Sequence, residues 1–122
     1  FQIRDDILNL VAGNKYGKES AGDLIEGKRT LILIHLLELA STKDRETVEY
    51  ILSGDRKIRE QNYKTILELI HKYDSLKFAT DMADKFSLSA LTEFDNIFDQ
   101  LPENRAKLLL RNITEYIVSR DW

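Results

Sequence analysis

Apolar residues recur every three or four positions along most of this chain, and no stretch alternates apolar and polar residues with period two. The first pattern lines one face of an α-helix and the second one face of a strand, so the periodicity predicts an all-α fold, an antiparallel helical bundle. Phe1, Ile3, Ile7, Leu8, Leu10 and Val11 form the first stripe, and Gly13-Asn14 ends it in the manner of a C-cap. Residues 13–27 hold four of the five glycines among charged residues and read as a long polar loop. Residues 30–40 are apolar nearly all round and predict a buried central helix. Ser41-Thr42 can cap a short helix from Lys43 to Leu52, which Ser53-Gly54 closes. Tyr63, Ile66, Leu67, Ile70 and Tyr73 mark a fourth helix, broken at Asp74-Ser75. Ala79, Ala83, Phe86, Ala90, Phe94, Ile97 and Leu101 mark a longer fifth. Pro102 suits the first turn of a last helix, whose buried face is Ala106, Leu109, Leu110, Ile113, Tyr116 and Ile117.

The 122 residues suit one domain, and no linker, repeat or low-complexity tract divides them. Eighteen Lys plus Arg against 21 Asp plus Glu give a net charge of −3, which excludes a broadly basic nucleic-acid binder. Without cysteine there is no disulfide framework, thiolate metal site or cysteine nucleophile, in keeping with a reducing, cytoplasmic setting. The longest apolar run, residues 31–40, is about half of what a membrane span needs. The chain opens without Met and already inside a helical stripe, so it reads as part of a longer protein.

Asp5 and Asp6 are adjacent on the first helix, and Asn9 lies one turn beyond Asp5 on the same face. Two carboxylates and an amide oxygen are hard ligands that suit Mg²⁺, which keeps several waters and bridges to substrate phosphates. The competing reading is a solvated acidic patch near a helix start. Lys18 and Lys28 each follow a glycine, which lets the backbone approach a ligand closely. Carboxylates beside paired lysines fit a metal-bound diphosphate. Asp81 with Asp84 and Asp95 with Asp99 read as solvated faces, as do Arg105, Arg111 and Arg120. His35 reads as a hydrogen-bonded core or interface residue, and His71 lacks partners at zinc-ligand spacing. Phe78, Phe86, Phe94 and Phe98 read as core. Ser20, Ser41 and Ser53 have no paired histidine.

The order of these parts is similar to that of a known family. Phe1-Gln2-Ile3-Arg4-Asp5-Asp6-Ile7-Leu8-Asn9, then Tyr16-Gly17-Lys18, then Gly22-Asp23-Leu24-Ile25-Glu26-Gly27-Lys28-Arg29-Thr30 closely resembles the second aspartate-rich region of the trans-type polyprenyl diphosphate synthases and the loop after it. The tail from Leu101-Pro102 to Arg120 resembles the family's closing helix. The resemblance implies the C-terminal part of the isoprenoid synthase fold, in a longer protein that condenses an allylic diphosphate with isopentenyl diphosphate. It implies Mg²⁺ on Asp5, Asp6 and Asn9, and diphosphate contacts from Gln2, Lys18 and Lys28, with Asp23 on the loop aspartate. Asn9 departs from the family's third aspartate. The family's first aspartate-rich motif has no counterpart in these residues, so the resemblance implies half an active site and an inactive isolated chain. It further implies a homodimer or heteromer. Two alternatives stand beside the enzyme: a non-catalytic subunit or fragment of the same fold acting through a partner, and a plain helical interaction module.

Overall fold

A computed structural model describes residues 1–11 and 21–119, with side chains to residue 116. The described residues form helices and no strand: α1 (Gln2–Val11), α2 (Gly22–Glu26), α3 (Leu31–Leu39), α4 (Thr42–Ser53), α5 (Arg56–Lys72), α6 (Ser75–Phe98) and α7 (Arg105–Ser119). They fall into two compact units, residues 2–80 and residues from 81 onward. None of the described helices is long and apolar enough to cross a membrane.

The first unit is organised around α5, which packs against α2, α3 and α4, while α1 packs against α2 and α3. Its core joins Leu24 of α2, Ile32, Leu33 and Leu36 of α3, Val48 and Ile51 of α4, and Ile66 and Ile70 of α5. These are the i, i+3, i+4 positions of each stripe, so burial follows the sequence pattern. Short polar caps set the helix starts. Thr30 Oγ1 accepts from Leu33 N–H, Ser41 Oγ from Asp44 N–H and Asp55 Oδ1 from Ile58 N–H. Asp55 therefore starts the fourth predicted helix a full two turns before its apolar stripe begins. Gly54 precedes it because a Cβ there would lie 2.7 Å from the Ile58 side chain. At the next corner Asp74 takes a left-handed backbone (φ 52°) and ends the run before α6.

A second corner is tied by charge. Tyr73 Oη donates to Asp44 Oδ2 at 2.6 Å and accepts from Ser41 N–H at 2.9 Å, while Lys72 Nζ lies 2.6 Å from the same carboxylate oxygen. Hydrogen bonds from Lys72 and then Tyr73 hold the Asp44 carboxyl down at about 2. His35 is hydrogen-bonded, as expected: Nδ1 lies 3.0 Å from the buried Ser75 Oγ, and the ring stacks on Phe78.

Four expectations need correction. The polar loop contains a helix, α2, because Leu24 and Ile25 pin one turn of it into the core. The α3 helix is not buried all round: Ile34 and Leu39 lie on a face that the first unit leaves exposed. Pro102 precedes the last helix rather than entering it, because Asn104 Oδ1 accepts from Lys107 N–H and caps α7 at Arg105. The face assigned to the core of α7 is also exposed at Leu109, Leu110, Ile113 and Tyr116, and so are Phe86, Ile97 and Leu101 on the α6 stripe. The periodicity is real. It marks which residues share a face, and a helix covers that face only when another element packs on it.

Within the second unit, the polar residues are more engaged than expected. Arg111 Nε donates to Asp95 Oδ1 at 3.0 Å and its terminal nitrogen to Oδ2 at 3.3 Å, and the guanidinium also pairs with Glu115. Asp95 and Arg111 are thus exposed partners across the α6–α7 turn, not independently solvated charges.

Candidate functional site

The site is built where α1 meets α2. Asn9, near the end of α1, receives α2 with two acceptors. Its backbone carbonyl takes the Ala21 N–H and its side-chain Oδ1 takes the Asp23 N–H, both at 3.0 Å. Ala21 is fully buried with φ 63°, a left-handed conformation that a residue with a Cβ seldom takes. The turn is held in that form by the hydrogen bonds around it, and backbone strain of this kind costs about 1–3 kcal/mol.

α2 runs for one turn and stops in a Schellman motif. Gly27 N–H donates to Leu24 O at 3.1 Å and Lys28 N–H to Asp23 O at 2.9 Å, with Gly27 at φ 77°. Glycine is the residue that takes this φ without a Cβ clash. The reversal sends the Lys28 side chain back over the helix it has just left. Its Nζ lies 2.6 Å from Asp6 Oδ1 on α1 and 2.9 Å from Asp23 Oδ2 on α2. Gln2, one turn before Asp6, donates Nε2 to the same Asp6 oxygen at 3.0 Å.

Burial makes this cluster different from a surface pair. Asp6 is 6% exposed, a rare environment for a carboxylate, and it is matched by a cation and an amide donor. The hydrogen bond from Lys28 to Asp6 is the main cause holding the amine well above the usual lysine range, with Asp23 second and partial burial opposing both. Lys28 therefore carries a proton at any physiological pH. Its side chain is also 38% exposed, so Lys28 stands at the edge of the cluster and is not sealed inside it.

Of the residues singled out in the sequence, the fold brings together Gln2, Asp6, Asn9 and Lys28, with Asp23 between them. Asp5 lies exposed on α1 beside the buried Asp6, since consecutive helical residues point about 100° apart. Lys18 lies outside the described residues. Asn9 has a structural task that its place in the motif did not reveal, as the N–H acceptor at the start of α2. Arg59 was not anticipated at all. It stands on α5, where its Nε donates to Ile25 O at 2.6 Å and its NH1 to Gly54 O. No local pattern around Arg59 signals this, because its partners lie 34 and five residues away.

Asp5 and Asp6 bring oxygen donors of the kind that Mg²⁺ takes. Among the described residues no three His, Cys, Asp or Glu side chains form a metal cage. Mg²⁺ does not require one, since it is commonly held by one or two carboxylates with phosphate oxygens and waters. Asp5 is exposed on α1, whereas Asp6 is buried with its Oδ1 taken by Lys28 and Gln2, and the Asn9 Oδ1 is already an acceptor for α2.

Comparison with known proteins gives the family. The family model described as polyprenyl synthetase matches residues 1–70. The chain is 33% identical over 123 residues to geranylfarnesyl diphosphate synthase of Natronomonas pharaonis, covering 100% of this chain and 33% of that protein. It is 30% identical over 121 residues to geranylgeranyl diphosphate synthase of Saccharolobus solfataricus, covering 98% and 35%. It is 28% identical over 123 residues to heptaprenyl diphosphate synthase component 2 of Geobacillus stearothermophilus, covering 100% and 36%. The chain thus spans about a third of the length of the curated relatives it matches. No solved structure matches it. With its family match running through α1, α2 and the helices that support them, the chain belongs to the polyprenyl synthetase family.

Proposed function

We propose that this chain supplies one half of the active site of a prenyltransferase, the half that holds an allylic diphosphate while isopentenyl diphosphate is joined to it. The observation that carries the reading is the Lys28 ammonium, swung back by Gly27 onto the buried Asp6 and onto Asp23. A charged lysine with a partly exposed side chain beside carboxylates suits a ligand that brings both negative phosphate oxygens and a divalent cation. Membership of the polyprenyl synthetase family and the diphosphate synthases among the relatives support the substrate class.

In this reading Asp5 and Asp6 hold Mg²⁺, with Asn9 beside them, and Gln2, Lys18 and Lys28 contact the diphosphate. Bound there, Mg²⁺ supplies a second cation against the leaving diphosphate. Lys28 holds its proton throughout and offers N–H donors to phosphate oxygens, stabilising the charge that gathers on them as the allylic carbon–oxygen bond breaks. Gln2 orients Asp6, and Asn9 fixes α2 so that Asp23 and Lys28 arrive together. The active unit is a longer protein that works as a homodimer or a heteromer.

The test uses an allylic diphosphate, isopentenyl diphosphate and Mg²⁺. The full-length protein is expected to form the elongated prenyl diphosphate and the 122-residue polypeptide to form none. Turnover by the short polypeptide overturns the half-site, and no product from the full-length protein overturns the prenyltransferase. One observation favours a second reading, a subunit that acts through a partner: the match across the whole chain to a relative named as component 2 of a synthase. On that reading product forms only when a second polypeptide is added.

A further inference from the structure

We propose that Arg59 is a positioning residue for Lys28, clamping the C-terminal turn of α2 so that the ammonium reaches Asp6 and Asp23. This rests on the reading of Lys28 as a diphosphate contact given above. The Schellman motif satisfies the carbonyls of Asp23 and Leu24. The carbonyl of Ile25, one residue further on, is taken instead by Arg59 Nε at 2.6 Å. A cation at the C-terminal end of a helix is favourably placed against its partial negative charge.

The same guanidinium reaches Gly54 O at the corner between α4 and α5. Its two donors thus tie the end of α2 to a corner of the hub helix, which a planar fork can do without rotating. Packing reinforces the tie. A Cβ on Gly27 would lie 3.4 Å from Arg59 Nε and 3.5 Å from its Cζ, so the arginine lies along the glycine that makes the reversal. Ile25, Gly27 and Lys28 lie within four residues, and freeing the Ile25 carbonyl frees the turn from which the lysine side chain springs. Among the described residues Arg59 hydrogen-bonds to the Ile25 and Gly54 carbonyls and forms no ion pair with Asp6. Its effect on the ammonium passes through the backbone of α2.

The experiment reads the Lys28 ammonium itself, as its ¹H–¹⁵N signal in the full chain, assigned by its loss in Lys28→Met. Proton exchange there is expected to be slow while both carboxylates accept from it. In Arg59→Ala, exchange is expected to quicken about tenfold, the scale of losing one charge-assisted hydrogen bond. Arg59→Lys keeps the charge without the fork and should show a smaller rise, and it carries the test if Arg59→Ala does not fold. Val48→Ala, which lowers Tm from inside the core, should leave the signal in place at temperatures well below its own Tm. An unmoved Lys28 signal in the arginine variants, or an equal change in Val48→Ala, overturns the proposal. Calorimetric titration with inorganic diphosphate and Mg²⁺ is run alongside. If the unmodified chain binds no diphosphate, the functional reading fails, while the ammonium signal still decides the role of Arg59.

Discussion

Lys28 Nζ and Asp6 Oδ1 meet at 2.6 Å across 22 residues of sequence, and the carboxylate is almost wholly buried. Removing either partner has different consequences for the molecule. Lys28→Ala leaves Asp6 with Gln2 as its donor, and in the full-length protein it should slow turnover by about 10²- to 10³-fold, as expected for losing one preorganised donor to a developing anion. Asp6→Ala should do comparable harm and also raise the Mg²⁺ concentration needed for half-maximal rate, since a carboxylate ligand is lost. Steady-state kinetics over a Mg²⁺ series separates the two.

Asn9 is expected to matter for stability before it matters for metal. Its side-chain oxygen accepts the Asp23 N–H at the start of α2, so Asn9→Ala removes a cap and should cost about 1 kcal/mol in denaturant unfolding. Asn9→Asp keeps an oxygen at the same position and adds a charge, so it should retain the cap and leave Mg²⁺ affinity unchanged or tighter. A calorimetric Mg²⁺ titration showing weaker binding in Asn9→Asp would count against a metal near this face.

The candidate site was partly legible in the sequence. Asp5 and Asp6 stand out because they are adjacent, and Lys18 and Lys28 because each follows a glycine. The geometry that joins them did not stand out, because α2 is five residues of mixed character held by Asn9 from one side and Arg59 from the other. Such a helix owes its existence to tertiary partners, since one turn is too short to form alone. The longer helices α3 to α6 were readable because their stripes repeat over several turns. Burial on α7 was not readable: Leu109 and Ile113 share a helical face, but a shared face does not say what covers it.

Asp44 provides a pH test. Its carboxyl is held near 2 by Lys72 and Tyr73, below its ordinary value of 3.8. A depressed folded value means that this group's contribution is complete above the unfolded value and is lost as pH falls from there through about 2. Thermal melts between those limits should therefore lose Tm on acidification. Asp44→Asn should lower Tm at neutral pH and flatten that acid limb, because the residue no longer titrates. An acid limb of unchanged steepness in Asp44→Asn would show that other groups carry it.

Burial separates two leucines of opposite expectation. Leu36 is fully buried in the core of the first unit, whereas Leu109 on α7 is 58% exposed. Leu36→Ala removes packed methyl groups and should destabilise by about 2–5 kcal/mol. Leu109→Ala should stay within about 0.5 kcal/mol by denaturant unfolding of the same chain. Equal losses at the two positions would mean that the α7 face is covered in solution.

Asp95 is the control for the site, now with a known partner. It pairs with Arg111 through two hydrogen bonds, which lower the Asp95 carboxyl below its ordinary value and raise the guanidinium, yet both side chains are about half exposed. Exposed pairs of this kind contribute little, about 0–1 kcal/mol, because water competes and salt screens them. Asp95→Ala should thus shift stability by no more than that, less at high salt, and leave turnover of the full-length protein near normal. Lys28→Ala and Asp6→Ala, by contrast, should reduce turnover with the fold retained, as checked by circular dichroism. If all three variants turn over alike, the Asp6–Lys28–Asp23 cluster is a structural clasp between α1 and α2, and the diphosphate reading of this site falls.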